Sequence, residues 1–454
     1  MPLLNTVFTA HSIPYLCVKI NSLLPALAFF KPMDYNKTTE RRTSAIPQKP
    51  NLLPNRKGGP ALETLIELYD ERPLENVLGP EVFRPRRVVY ICPDAAYSDK
   101  RTRPKLAAFY AHRGFTPELV YVKAKVFDAE STLRTLRQTV EQYPDCAIDI
   151  TGGTDAVLFA AGLLSAERSI PVFTYSRRRN SFFDIRNARF AEELPCTVVY
   201  RVEDCFVMAG GSVRLGRVDN AILPRYFDCM DPFFRVYLAH RKKWDRIITY
   251  IQRVSPSPLD QPPRLEVAGD YTVKAERGSR ISAPEQALED LAEIGLLRNL
   301  TVDEREGVRF TFADAQIRTW LRDVGSVLEL YVYKACVELG LFDDVRLSAI
   351  VDWEGETGQN AVTNELDVVC TKGVIPVFIS CKTGEVKTEA LNELAILRDR
   401  FGGKMAKAAI VTATRGSTVM RNRAAELNIA VIDLNDLTAG RLPRRLRSLL
   451  RPVR

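Results

Sequence analysis

Histidine is the scarcest chemistry-bearing residue in this 454-residue chain, which holds only His11, His112 and His240. The nine cysteines are scattered without a single CxxC pair. A Cys/His zinc site is therefore not expected, and unclustered cysteines point to a reducing, cytoplasmic setting rather than to a disulfide framework. Long apolar runs are missing too. The longest, Leu23–Phe30, is interrupted by Pro25 and falls well short of the roughly 20 residues a membrane-spanning helix needs. The chain start also lacks a basic stretch leading to a small-residue cleavage site, so no secretion signal is expected. Acid is in modest deficit: 64 Lys and Arg against 56 Asp and Glu leave a formal charge of +8. That balance favours a polyanionic partner without demanding one.

Enough apolar residue is present, at 46%, for sizeable cores, and the length allows two or three domains. Residues 1–60 form an extension dominated beyond Lys31 by Pro, Asn, Lys and Arg; it is expected to be poorly ordered, with Met33 an alternative first residue. Residues 61–205 alternate strand and helix. Strands are expected at Thr64–Tyr69, Arg87–Cys92, Leu119–Val122, Ala147–Ile150 and Val172–Tyr175. Helices are expected at Pro73–Val82, Arg103–Arg113, Ala129–Tyr143 and Asp155–Ser165. Such alternation predicts a doubly wound, parallel α/β sheet, whose ligands bind beyond the carboxyl ends of the strands.

Two loops fall at those ends. One is Asp70-Glu71-Arg72, with Asn76 just beyond; the other is Thr151-Gly152-Gly153-Thr154, running straight into a helix. Glycine permits close backbone approach, and a helix start offers free N–H groups to an anion. The same TGGT pattern also suits a plain strand-to-helix turn.

Residues 206–315 read as a connector. Phe233–Trp244 interleaves aromatic and basic residues, able to stack on bases or simply to pack a helix. Ser255–Arg264 is a proline-rich linker. Pro284–Ile294 then predicts a helix and Leu296–Leu300 with Val308–Phe312 a two-stranded wing, which together make a small winged-helix-like unit.

The most informative stretch lies in residues 316–454. Glu365–Thr371 and Ile375–Lys382 flank the turn Lys372-Gly373 and predict a hairpin. Strict alternation puts Glu365 with Asp367 on one face, and Ser380 with Lys382 on one face of the second strand. Charges in so apolar a setting need pairing or a metal ion; a structural Asp–Lys pair and a functional site both answer that need. A helix over Thr319–Leu339 precedes the hairpin, with Glu329 beside its apolar stripe. A helix (Lys387–Phe401), a strand (Ala408–Ala413), a helix (Ser417–Leu427) and a strand (Ile429–Leu434) follow it. The tail Arg441–Arg454 holds six arginines and no acid, either a solvated helix end or a phosphate-attracting surface.

The element order of the last domain, with these residues, resembles the restriction-endonuclease-like core of PD-(D/E)xK nucleases. The resemblance assigns Glu329, Asp367 and Lys382 to the catalytic set, with Glu329 and Asp367 as ligands of a divalent metal, Mn or Mg. Ser380 stands where that family has an acid. The acid sometimes migrates to the following helix, where Glu385, Glu389 and Glu393 are available and Glu389 is the first choice; Glu365 is a strand-borne alternative. The run LETLIELYDERPLENVLGPEVFRPRRVVYICPD, followed by PDCAIDITGGTDAVLFAAG, resembles the CARF domains of CRISPR-associated proteins. With NELDVV, FISCKTG and RFGGKMAKAAIVT, the chain resembles a CARF-domain nuclease of the type III CRISPR ancillary family over roughly residues 62–440. That resemblance implies a homodimer that binds a cyclic oligoadenylate, commonly cyclic tetra-adenylate, at Asp70, Glu71, Arg72, Asn76 and Thr151 to Thr154. It implies cleavage of DNA, RNA or both. Ser380 keeps a second reading open, that of a non-catalytic regulator that binds nucleic acid. A third, a CARF domain that degrades its own ligand, is neither supported nor excluded.

Overall fold

The computed structural model describes residues 62–215, 219–256, 264–275, 278–353, 355 and 363–450. The expectations for residues 1–60, for most of the proline-rich linker and for the last four residues of the tail lie outside the described residues.

Apolar, β-branched runs form the first sheet. Its strands are β1 (Thr64–Leu68), β2 (Arg87–Cys92), β3 (Glu118–Lys123), β4 (Cys146–Asp149), β5 (Val172–Ser176), β6 (Ser181–Arg186) and β7 (Leu194–Pro195). They lie in the order β3-β2-β1-β4-β5-β6-β7. The first five are parallel and the last two antiparallel. Every residue of β1 is buried, because apolar cores cover the sheet on both faces. Strand order reverses between β1 and β4, so the loops after these two strands bracket a topological switch point. The single helix expected over Pro73–Val82 is instead a 3₁₀ turn, Pro73–Asn76, and a short helix, Leu78–Phe83. Pro80 lacks an N–H and fits only a first turn, which moves the helix start to Leu78. The antiparallel pair β6–β7 was not apparent in the sequence.

The connector opens with helix Val202–Met208 and β8 (Ser212–Leu215), then helices Phe227–His240 and Trp244–Val254. Phe233, Tyr237 and Trp244 are buried among one another, so this stretch packs a helix rather than presenting rings to a ligand. The wing is present: helix Glu285–Glu293 precedes β12 (Leu297–Asp303) and β13 (Gly307–Phe312). Earlier strands enlarge it, β9 (Glu266–Gly269) pairing with β13, and β10 (Thr272–Lys274) forming a hairpin with β11 (Arg280–Ser282).

The last sheet contains β14 (Asp344–Asp352), β15 (Thr363–Lys372), β16 (Ile375–Lys382), β17 (Lys407–Thr412) and β18 (Ile429–Ile432). Its order is β18-β17-β16-β15-β14-β8, so a strand from within the expected connector completes one edge. Helix Ser326–Glu338 covers one face, and helices Thr388–Gly402 and Thr418–Glu426 cover the other. The helix expected over Thr319–Leu339 is broken in two, Ala315–Trp320 and Ser326–Glu338. Asp323 causes the restart: its carboxylate accepts from the Ser326 N–H at 2.7 Å and from its hydroxyl at 2.8 Å.

The halves are tied directly. The Tyr200 N–H donates to the Gly373 carbonyl at 2.9 Å, in the turn of the β15–β16 hairpin. Two residues on, the Val202 N–H donates to Asp344 at 3.0 Å. Val374 and Met405 pack into a core of the first sheet. Among the described residues, no helix is long and apolar enough to cross a membrane.

Candidate active site and ligand loops

The β14–β15–β16 ladder is interrupted where chemistry-bearing side chains gather. Pairing runs Leu347↔Val368 and then Ala349↔Leu366, omitting Ser348 and Asp367, and on the other side it begins at Val368↔Ile379. Ser348 adopts a left-handed backbone (φ 54°). Leu347 and Val368 accordingly pack under helix Ser326–Glu338, while Ala349 and Leu366 pack into the opposite core. Strict alternation would have kept each pair on one face. The irregularity frees Asp367 from the ladder and aims it sideways, as such interruptions near active sites do.

Asp367 Oδ2 accepts from the Cys381 N–H at 2.6 Å and the Ser380 hydroxyl at 3.2 Å, with Lys382 Nζ at 3.6 Å. Burial raises its carboxyl above the usual range, against the opposing pull of Lys382 and these hydrogen bonds. Glu329 lies one turn into its helix. Burial pushes its carboxyl well up, reinforced by Asp367, Asp323 and Glu365 and opposed by Lys382. Its carboxylate has no hydrogen-bond or ion-pair partner among the described residues. Gly325 makes room for it, since a Cβ there would sit 2.6 Å from Glu329 Oε1.

Glu329, Asp367, Ser380 and Lys382 are therefore brought together. Glu365 joins them from β15, where its carboxylate accepts from the Ser348 hydroxyl. Glu389 is exposed, starts the helix on the opposite face, and is not among the leading charges acting on either acid. Glu385 is likewise exposed, and Glu393 accepts from Asn364 at 2.6 Å. The site suits a hard divalent cation: a bare, half-buried carboxylate beside a second one, each raised by desolvation, with charge repulsion from Asp367 pushing Glu329 further. No group of three or more His, Cys, Asp or Glu arranged for a metal occurs among the described residues.

At the first sheet, Asp70 ties the two loops together. It accepts from the Arg72 N–H at 2.9 Å, from Arg72 Nε at 2.7 Å and from the Gly153 N–H at 3.2 Å. Burial raises the Asp70 carboxyl, but the Arg72 bonds outweigh it and the net shift is downward. Asn76 holds both backbone groups of Asp70, at 2.8 and 2.7 Å. Gly152 is required by the backbone, since a Cβ would meet the Leu68 carbonyl at 2.8 Å, and Gly153 has φ 95°. The threonine hydroxyls expected to face a ligand are already engaged, Thr151 with Asp149 and Tyr175, and Thr154 with the Val126 carbonyl. Glu71 stays exposed. What faces outward is the start of helix Asp155–Arg168, which no side chain caps. Two residues missed in the sequence belong here: buried Glu75 forms ion pairs with Arg177 and, at 3.5 Å, with Arg72. The run Arg177-Arg178-Arg179 at the carboxyl end of β5 was the available signal.

Beneath the TGGT loop, Glu67 and Asp149 are register partners on β1 and β4, and both are fully buried. Among the described residues, neither Glu67 oxygen nor Asp149 Oδ2 has a hydrogen-bond partner. Burial first, then Asp149, raises the Glu67 carboxyl; burial pushes Asp149 up to about 7 against the lowering bonds from Thr151. Between the unfolded value near 4 and that folded value, the native state holds the extra proton, so stability falls as pH rises to about 7 and the penalty is complete above it. Asn at 149 keeps the acceptor for Thr151 without charge. Asp149→Asn is therefore expected to stabilise by about 2–4 kcal/mol at about pH 8 and by almost nothing at about pH 4. Thermal melts at both values check this; an equal gain at both would mean an ordinary surface-like acid.

Residues 318–451 match the family described as the Card1-like endonuclease domain. No curated protein matches the chain. Among solved structures, protein VC1899 from Vibrio cholerae aligns with TM-score 0.67 at 16% identity, over 86% of this chain and 98% of its own. Can2 from Sulfobacillus thermosulfidooxidans, solved in complex with cyclic tetra-adenylate, aligns with TM-score 0.62 at 16% identity, over 86% of this chain and 97% of its own. The resemblance read from the sequence thus holds in fold, which is that of these two proteins, and in the last domain, where residues 318–451 match the Card1-like endonuclease family.

Proposed function

We propose that this protein is a metal-dependent endonuclease activated by a cyclic oligoadenylate, acting on DNA, RNA or both in type III CRISPR defence. The observation that carries the reading is the bare Glu329 carboxylate beside Asp367 and Lys382. Glu329 and Asp367 would hold a divalent cation, Mn or Mg, which when bound polarises a phosphate and lowers the pKa of water. The Cys381 N–H fixes the Asp367 carboxylate in place. Lys382, 3.6 Å from Asp367, supplies a positive charge where the attacking water and the phosphate meet. Ser380 replaces an acid of the family pattern, and Glu365 is the carboxylate placed to make good its charge.

In the first domain, the uncapped helix start at Asp155 with Arg72 and Arg177 suits the phosphates of a cyclic oligoadenylate, tetra-adenylate being the first choice. A two-fold ligand calls for a homodimer. Phe127 (86% exposed) beside the helix start, with Phe159 (61%) and Leu163 (39%) one turn apart, supports that assembly. Ligand binding would reach the catalytic hairpin through the Tyr200–Gly373 bond. The eight described cysteines are unpaired, in keeping with a cytoplasmic setting.

The test is cleavage of labelled single- and double-stranded DNA and RNA with Mn²⁺, with and without cyclic tetra-adenylate. Ligand-stimulated cutting of at least one polymer is expected. One observation favours the second reading, a non-catalytic regulator: Ser380 spends its hydroxyl on Asp367 instead of offering a charge. No cutting with Mn²⁺, Mg²⁺ or any cyclic activator would make that reading the better one.

A further inference from the structure

A cationic groove on the connector is used by neither site. It has a volume of about 490 Å³ and lies between helix Trp244–Val254 and the β10–β11 hairpin, lined by Asp245, Arg246, Thr249, Arg253 and Arg280 among others. Arg246, Thr249 and Arg253 follow at intervals of three and four, which puts them on one helical face over about 10 Å. Across the hairpin, Lys274 stands directly opposite Arg280 in register, both exposed. Like charges in that position destabilise a hairpin. Among the described residues no acid pairs with Arg246, Arg253, Lys274 or Arg280. Among the described residues, Asp245 is the one acid lining the groove. Elsewhere, exposed arginines of this chain do take acidic partners: Arg86 with Glu63, Arg134 with Glu130 and Arg137 with Glu167. Four cations with no acidic partner among the described residues, two of them facing each other across the hairpin, make an electrostatic footprint for a polyphosphate backbone.

We propose that this groove binds the backbone of a nucleic-acid strand, as an anchoring surface separate from the cleavage centre. The inference rests on the reading that the substrate is nucleic acid, but not on cleavage. The full-length protein is titrated without divalent metal against a labelled single-stranded oligonucleotide of mixed sequence at several salt concentrations. The triple variant Arg246→Ala/Arg253→Ala/Arg280→Ala is expected to lower the slope of log affinity on log salt by about 2, from about 0.7 per lost phosphate contact. The triple variant Arg86→Ala/Arg134→Ala/Arg137→Ala changes net charge equally and is expected to leave the slope nearly unchanged. Equal slopes for the two triple variants, or equal weakening of poly-glutamate binding by the groove variant, would overturn the proposal. Superimposable melting curves keep misfolding out of the comparison. If the groove behaves as expected while the wild type never cuts, the nuclease reading fails and the groove stands.

Discussion

Asp367→Asn is expected to lower cleavage by about 10³-fold or more while leaving the fold and ligand binding intact. Asn has the size of Asp and keeps an oxygen for the Cys381 N–H and the Ser380 hydroxyl. What disappears is the negative charge, half of what the pair offers a cation, and several kcal/mol of metal-assisted charge stabilisation corresponds to about three powers of ten in rate. The same change relieves Glu329 of the acid that repels it most. Since burial raises the Asp367 carboxyl, the variant is expected to melt at or above the wild-type temperature at neutral pH. Loss of activity with a preserved or higher melting point separates chemistry from folding. Lys382→Ala is expected to act likewise. Glu365→Gln then decides the missing acid: it is expected to cut activity strongly, while Glu389→Gln leaves it nearly unchanged. A wild-type rate in Asp367→Asn would remove Asp367 from the centre, and the reverse ranking of Glu365 and Glu389 would restore the helix-borne acid.

Gly153→Asp is expected to abolish activation by cyclic tetra-adenylate, weakening its binding by at least about 100-fold, or roughly 3 kcal/mol. Two physical costs combine. Residue 153 has φ 95°, a backbone that only glycine adopts without strain, and an added Cβ would lie 3.0 Å from that of Leu68. The new carboxylate would also stand beside Asp70, which accepts the Gly153 N–H at 3.2 Å, and before the helix start that attracts anions. Gly153→Ala carries the strain without the charge, so the difference between the two variants isolates electrostatics. Unstimulated metal binding should survive in both. Calorimetry with metal-free protein reads the affinity, and an unchanged value in Gly153→Asp would take the loop out of the ligand site.

Much of this was legible in the sequence because period and punctuation are local. Strands β2 and β16 fall where alternation and turn residues place them, at Arg87–Cys92 and Ile375–Lys382. Glu329, Asp367 and Lys382 were assigned together through the family resemblance, and the fold brings them together. The failures are non-local. The apolar period runs through Leu321–Gly325, and only the Asp323 cap shows that the helix restarts. The face change at Ser348 is a backbone conformation that no side-chain pattern encodes. Whether Glu365 or Glu389 stands near Glu329 depends on which face each helix covers, a tertiary fact. Arg177 waits for a partner, Glu75, about a hundred residues away in the chain.

Strand β8 has a consequence for how such chains can be recombined. It leaves the first domain through residues 200–202, already bonded to Gly373 and Asp344, and then closes the edge of a sheet whose other strands begin more than a hundred residues later. The first and last domains are thus not cassettes joined by a hinge, because the last sheet borrows an edge from the chain leaving the first domain. A sensor can be exchanged only by crossing over upstream of about residue 198, so that the borrowed strand travels with the sheet it completes. A crossover placed at the proline-rich linker would instead hand β14 a foreign neighbour or an open edge, a template for aggregation. The seam between the two sheets of this chain is written in backbone hydrogen bonds, not in linker composition.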